Sequence, residues 1–392
     1  MTKSRIYLDN SATTRISDAA LKKYNEISNT HFGNPSSLHE EGFLAEKELT
    51  AARETLLSSI GAKATSDVVF TASGSEANNL AIIGRAISKE RYRKFGKIIT
   101  SEGEHASVNE PLLTLERLGF KVVKIPTKNG ILDKDRLFAE LDDKVVLVTL
   151  MMVNNETGAL YDIATAAKAM RVKSPEAVLH VDATQSYMKI PFSKASLGAD
   201  MITVSSHKIH GPKGVGALVV DKKIIKSRGL SPIIFGGGQE GGLRSGTENV
   251  PAIAAFATAI SESYANIAER CRHIENLRST LIEKLKEGAL AEISPTLPEN
   301  HAPHILNITL PGIKSETMLH FLSSHGIFVS SGSACSSHGA HSPSSALVAY
   351  GRSAPEADSS IRISFSYENT EEDVTALAEA LALGLKTLAR IR

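Results

Sequence analysis

Several short segments follow runs of apolar, often β-branched residues with a group able to do chemistry. Ala72-Ser73-Gly74-Ser75-Glu76 follows "VVF", and "SEGEHAS", with His105, follows "KIIT". "NNETG", with Asn154 and Asn155, follows "VLVTLMMV"; Asp182 and then Gln185 follow "VLHV"; Ser206-His207-Lys208 follows "MITVS". Taken singly, each has an ordinary explanation. Asp182 can cap a turn, Lys208 can be a solvated lysine, His105 can be a satisfied loop histidine, and tight strand-to-helix turns are rich in Gly and Ser for steric reasons alone. Taken together they offer a carboxylate, an amine, an imidazole, amides and a small-residue turn. A separate stretch, "SSGSACSSHG", sets Cys335 among residues too small to pack around it, whereas structural cysteines usually sit as small hydrophobes in apolar surroundings.

Whether these groups meet depends on the elements that carry them. "DVVFT", "KIIT", "KVVKIP", "KVVLVTLMMV", "AVLHVD", "MITVSS" and "VGALVV" read as short, continuous, apolar strands, and most are separated by helical stretches such as "SEANNLAIIGRAISKE", "NEPLLTLERLG" and "DIATAAKAM". That alternation predicts a mostly parallel sheet covered on both faces. Open parallel sheets bind ligands beyond the carboxyl ends of their strands, where these groups fall. Upstream, "SLHEEGFLAEKELTAARETLLSSIG" predicts a helix with Ser37 and Glu40 as a capping box and Gly61 as its stop. Beyond residue 250, "VPAIAAFATAISESYANIAERCRHIENLRSTLIEKLKEG" reads as one long helical tract. After it come the strand "HILNITL", the helix "SETMLHFLSSHG", the strands "IFVSSGS" and "SIRISFS", and a closing amphipathic helix, a smaller α+β unit. The main loop candidate is Ser336–Glu356.

The set matches the needs of pyridoxal 5′-phosphate. Its aldehyde needs a lysine, its ring nitrogen a carboxylate that keeps it protonated, and its phosphate a cradle of backbone N–H groups at a helix start. "GPKGVG" at Gly211–Gly216 lacks the spacing and the Lys-Ser/Thr pair of a P-loop, which argues against a nucleotide there.

The totals exclude several other classes. The 392-residue chain has 44 Lys+Arg against 43 Asp+Glu, a formal net charge of +1, and gives no electrostatic reason to expect nucleic acid or an anionic membrane. No apolar run approaches a membrane span, and the N-terminus lacks the apolar region of a secretory signal. The two cysteines, Cys271 and Cys335, cannot form a disulfide framework or a metal cage, so a cytoplasmic protein without a bound metal is expected.

Eight segments, "YLDNSATT", "FGNPSSLHE", "GEHASV", "VNNETG", "HVDATQS", "SSHKIHGPKGVGAL", "GGGQEGGLRSGTENV" and "SSGSAC", together resemble the cysteine desulfurases of the class V aminotransferase family, in the branch with the longer cysteine loop. The likeness runs in order over nearly the whole chain. It implies the α/β fold type I of pyridoxal-phosphate transferases, with a seven-stranded, mostly parallel sheet in a large domain over residues 16–262. Residues 1–15 and 263–392 would form a small α+β domain carrying the cysteine loop at about 330–356. By the same resemblance Lys208 carries the cofactor's aldehyde and shuttles the proton, Asp182 pairs with the ring nitrogen, and Gln185 bonds the phenolic oxygen. His105 stacks on the ring and assists acid–base steps; Gly74, Ser75, Ser205 and His207 hold the phosphate. Thr247 reaches the phosphate of the opposite subunit, which implies a homodimer. Asn155 belongs to the cofactor set and, with Arg362, holds the substrate carboxylate. A guanidinium suits that task because it matches a carboxylate in bidentate fashion; the competing explanation for Arg362 is a structural salt bridge.

The resemblance also gives Cys335 a task. Its thiolate attacks the sulfur of L-cysteine, alanine leaves, and Cys335 is left as a persulfide that must reach an acceptor outside. A small-residue loop suits a thiol that has to visit both places, and exposure favours the thiolate. Cys271, among apolar neighbours at helical spacing, is expected to be structural. Two features depart from the pattern. Ser73 stands where relatives commonly have glycine, and a serine resists positive φ. The segment after Cys335 carries His338 and His341, which have no assigned role in the pattern, although an imidazole there could help deprotonate Cys335 or its acceptor. The expected acceptor is a protein, either an iron–sulfur scaffold or a tRNA-thiolation protein; the chain ends at Arg392, without the tail some relatives use for docking. Selenocysteine lyase, a catalytically poor scaffold binding sulfur-transfer partners, and an ordinary aminotransferase are the alternatives. The last gives Cys335 nothing to do.

Overall fold

The computed structural model describes residues 5–88, 96–331 and 343–388. Seven strands form the central sheet: β1 (Ser66–Thr71), β2 (Lys97–Ser101), β3 (Lys121–Ile125), β4 (Val145–Met151), β5 (Val178–Asp182), β6 (Met201–Ser205) and β7 (Gly216–Asp221). Their order across the sheet is β1-β7-β6-β5-β4-β2-β3. β2 through β6 pair in parallel, and β7 alone runs against its neighbours β1 and β6. Since β1 is antiparallel to β7, it points the same way as β6, and its carboxyl end lies on the same edge as theirs.

Alternate side chains of each strand go to opposite faces. Val68, Phe70, Ile99, Ile202, Val204, Ala217 and Val219 enter one apolar cluster. Val69, Ile98, Met201, Leu218 and Val220 enter another across the sheet. With both faces buried, the strands must be apolar throughout, and every residue of β4 is buried.

A third cluster joins Ile6 and Leu8 to residues between Ile274 and Leu385. It packs on a four-stranded antiparallel sheet of β8 (Ser294–Thr296), β9 (Ile305–Thr309), β10 (Ser330–Ser331) and β11 (Ser360–Ser364), in the order β8-β9-β11-β10.

Several local expectations are corrected. The first long helix, α1 (Glu40–Ser59), is capped by His39, whose Nδ1 accepts from the N–H of Gly42, and not by a Ser37/Glu40 box. The long tract is two helices, α2 (Val250–Ala265) and α3 (Ile267–Lys284). They break at Asn266, which leaves helical geometry and bonds its side chain back to the carbonyl of Glu262. "IFVSSGS" splits into Ile327–Phe328, paired with Ile6–Tyr7, and β10. Within the expected loop 336–356, the described part holds α4 (Ser345–Tyr350), capped by Ser344, and α5 (Ala354–Asp358), capped by the Ser353/Glu356 box. Caps of that kind start helices even in Ser- and Pro-rich sequence.

Candidate active site

The carboxyl edge of the central sheet collects most of the singled-out residues. Asp182 ends β5, Ser205 ends β6, and Ser206–Lys208 form a single helical turn directly after it. His105 follows β2 and caps the helix Ala106–Arg117. Gly74 follows β1 and opens a helix, Gly74–Asn79, that Ser73 caps.

Ser73 needs no positive φ. Its backbone is extended, with φ −169° and ψ 166°, and its hydroxyl accepts from the N–H of Glu76 at 3.1 Å. A serine therefore suits this position as a helix cap. The turn is closely packed on the sheet: a Cβ at Gly74 would meet the Ser205 Cβ at 3.1 Å, and one at Gly216 would lie 2.5 Å from the Ser73 carbonyl carbon. Only glycine fits at 216, which lets the turn sit against the start of β7.

The carboxylate of Asp182 is held on both oxygens, by Asn78 Nδ2 at 2.8 Å and by the N–H of Thr184 at 2.9 Å. Lys208 Nζ donates to the carbonyls of Ser11 at 2.6 Å and Ala12 at 2.8 Å. Gln185 Nε2 donates to the same Ser11 carbonyl at 2.9 Å, while its Oε1 accepts from Lys189 Nζ at 3.0 Å. The N-terminal segment thus brings Lys208 and Gln185 to one oxygen atom.

His105 Nδ1 accepts from the N–H of Ser107 at 3.1 Å, which leaves the proton of the neutral ring on Nε2. Burial lowers its pKa and the Lys208 and Arg362 charges add to that, against the opposing pull of Asp182. The imidazole therefore feels the carboxylate, the amine and the guanidinium together. The pKa of His207, whose Nδ1 lies 3.1 Å from Thr13 Oγ1, is lowered to about 4, by burial first and by Lys208 next, which favours the neutral ring.

Arg362 lies on β11, opposite both Asn307 and Ser330. One of its terminal nitrogens bonds the Asn155 carbonyl at 2.9 Å and the other meets Asp9 at 3.0 Å; its Nε has no partner among the described residues. The salt-bridge explanation of this arginine is therefore seen in the Asp9 contact, and its Nε–H remains without a partner among the described residues. Burial raises the pKa of Asp9, and Arg362 and Lys208 draw it down, so this carboxylate faces both cations.

Thr247 and Ser75 are exposed. Thr247 lies on the glycine-rich segment that Arg244 ties to Glu76 through a 2.8 Å ion pair, and no hydrogen bond joins it to the other site residues among the described residues. Cys335, His338 and His341 lie outside the described residues. Cys271 is half-buried, its thiol donating to the Lys189 carbonyl at 2.9 Å, and burial raises its pKa, as suits a structural thiol.

Pyridoxal 5′-phosphate fits what is present. The buried hydroxyls of Ser205 and Ser206 have no partner among the described residues, and that of Ser205 adjoins the cradle at Gly74 that a side chain would fill. A carboxylate fixed at two points and an amine stand on the same edge. The sequence reading passed over Asn78, Ser107, Asp9 and Lys189. One of these had a detectable signal: Asn78 lies four residues after Gly74 on the same short helix, the spacing that brings two helical positions to one face.

Comparison with known proteins gives the family and the fold. The family model for aminotransferase class-V matches residues 6–377. A curated cysteine desulfurase IscS 1 of Archaeoglobus fulgidus is 37% identical over 379 residues, covering 96% of this chain and 95% of its own. Among solved structures, a NifS-like protein superposes with a TM-score of 0.89 at 34% identity, covering 98% of this chain and all of that one. A structure described as SspA in complex with cysteine superposes with a TM-score of 0.79 at 30% identity, over 94% and 100% of the two chains.

Proposed function

The chain belongs to the aminotransferase class-V family, and from that premise we propose that it is a pyridoxal-phosphate-dependent cysteine desulfurase, converting L-cysteine to L-alanine and leaving the sulfur as a persulfide on Cys335. The observation that carries this reading is the meeting of Lys208, Asp182, His105 and Arg362 around one sheet edge.

Lys208 would hold the cofactor's aldehyde, Asp182 its ring nitrogen, Gln185 its phenolic oxygen, and Gly74, Ser75, Ser205 and His207 its phosphate, with Asn155 beside them. Bound there, the cofactor supplies an electron sink that makes the substrate's Cα–H acidic. The chain's own groups do the rest. The guanidinium of Arg362, steadied by Asp9 and the Asn155 carbonyl, takes the substrate carboxylate. Lys208 Nζ accepts and returns the proton, and the Nε2–H of His105 supports that transfer. The Cys335 thiolate attacks the substrate sulfur. The S–S bond forms as the C–S bond breaks, and the electron pair of the broken bond stays with the three-carbon fragment, which gains protons and leaves as alanine. Sulfur ends oxidised to the persulfide level and carbon reduced to a methyl group, with no outside oxidant.

The persulfide then passes to an acceptor protein, an iron–sulfur scaffold or a tRNA-thiolation protein. A homodimer in the cytoplasm is the expected form: Phe32, Leu38, Phe43 and Phe235 are largely exposed apolar side chains, Thr247 is exposed, and no described helix is long and apolar enough to cross a membrane. Residues 16–262 are proposed as the cofactor domain, and residues 1–15 with 263–392 as the smaller domain.

The test is to supply L-cysteine and a thiol reductant to purified, cofactor-loaded protein. Alanine and sulfide should appear in equal amounts with the wild type and not with Lys208→Ala. Protein that stays colourless with pyridoxal phosphate, or alanine formation independent of Lys208, overturns the reading.

A further inference from the structure

Glu156 has no task in the reaction as described. It follows Asn155 in the turn that Asn154 organises by accepting the N–H groups of Glu156 and Thr157 at 3.0 and 2.9 Å. Its Oε2 accepts the hydroxyl of Ser344 at 2.6 Å. That hydroxyl also caps α4, accepting the N–H of Leu347 at 3.2 Å. The Asn155 carbonyl, one residue away, holds Arg362 at 2.9 Å.

Arg362 is also the register partner of Ser330. The chain therefore enters the Cys335 segment from a strand paired at Arg362. It leaves that segment at Ser344, tied to the residue next to the one that holds Arg362. Both flanks of the nucleophile's segment are fastened around the proposed carboxylate-binding arginine. Ser330 is held by backbone pairing, which any sequence can make. The exit is held by the side-chain bond between Ser344 and Glu156.

We propose that Glu156 is a positioning residue for sulfur transfer: by holding Ser344 it fixes where the chain emerges from the Cys335 segment relative to Arg362 and the substrate it binds. The proposal rests on the desulfurase reading above. Burial pushes the Glu156 carboxyl up to about 7, while the Ser344 bond and the Arg362 charge pull it down. An oxygen that accepts the serine hydroxyl is present in either protonation state.

The experiment compares holoenzyme of the wild type, Glu156→Ala, Glu156→Gln, Ser344→Ala and the Glu156→Ala/Ser344→Ala pair. It measures KM for L-cysteine in steady state and the rate of Cys335 persulfide formation in a single turnover. A displaced reacting group slows chemistry by about ten- to a hundred-fold, so Glu156→Ala and Ser344→Ala should each slow persulfide formation about tenfold or more with KM little changed. Glu156→Gln keeps an acceptor oxygen and should recover most of the rate. The pair should be no slower than either single variant, because both remove one interaction. Equal rates in all five proteins, multiplying losses in the pair, or a raised KM with an unchanged single-turnover rate would overturn the proposal. Ser344→Ala and Glu156→Gln keep it testable should Glu156→Ala fold poorly. A wild type that forms no persulfide would instead overturn the desulfurase reading itself.

Discussion

Asp182 illustrates how the site's residues depend on partners. Asn78 and the Thr184 N–H each fix one of its oxygens, which orients the carboxylate for the ring nitrogen it is proposed to pair with. Replacing Asp182 with Asn removes that charge, and turnover should fall by about a hundredfold or more, the scale of losing one preorganised electrostatic partner; steady-state alanine formation measures it. Glu104 makes a different prediction. Fully buried beside the site, it accepts from Ser101 Oγ at 2.6 Å and from the Met151 N–H at 3.0 Å. Burial outweighs those bonds and pushes its pKa up from 4.5 to about 8. The folded state therefore holds this proton where the unfolded state has lost it. Its contribution to stability is full below the unfolded value and is lost as pH rises through the folded one, between about 4.5 and 8. Glu104→Gln cannot ionise, so its melting temperature relative to the wild type should climb across that window and level off above it. A difference that stays flat with pH would show that Glu104 is not a buried acid.

At the scale of elements, the turn proposed to hold the phosphate is placed by the backbone of β7, which passes close beneath it. Gly216→Ala would drive a methyl into the Ser73 carbonyl and the Gly74 nitrogen at 2.5 and 2.7 Å. Such overpacking costs about 1–3 kcal/mol, and the displaced turn should hold the cofactor at least several-fold more weakly. Fluorescence titration of the apo-protein with pyridoxal phosphate measures the second effect, and thermal melts the first. The elements were legible where pattern and physics agree. Continuous apolar strands signal burial on both faces, and the central strands stand where such runs predicted them. The reversed direction of β7 was not legible, because "VGALVV" buried on both faces reads alike either way. The break at Asn266 was hidden for a related reason: helical periodicity continues through it, and only a side chain bonding its own backbone shows the interruption. The helices at Ser345–Tyr350 and Ala354–Asp358 hid behind Ser, which served as the caps, and Pro, which sits in the first turn of the second.

At the scale of the whole molecule, two separated parts of the chain meet at the site. Arg362 and the strand pairing Ser330 come from the sheet whose core includes Ile361 and Ile363, while Lys208 and Asp182 belong to the central sheet. The N-terminal segment joins them: Ser11 and Ala12 hold Lys208, and Asp9 holds Arg362. The positions of Lys208, Asp182 and His105 could be read from strand ends. The bonds to the Ser11 and Ala12 carbonyls could not, since a backbone oxygen carries no residue signature. If the exposed Phe32, Leu38, Phe43 and Phe235 are covered by a second copy, light scattering on eluting protein should give twice the chain mass. Thr247→Ala should then weaken cofactor retention without changing that mass. A monomer with full cofactor retention would remove the partner subunit from the site.

The central claim is that sulfur passes from the substrate to one particular thiol. It is tested most directly by mixing the holoenzyme with one equivalent of L-cysteine without reductant, trapping the thiols, and mapping the peptides by mass. The account predicts one added sulfur atom on the peptide containing Cys335, matched by one alanine, with neither formed at a comparable rate by Cys335→Ala. Sulfur found on the Cys271 peptide, or alanine released equally fast without Cys335, would contradict it.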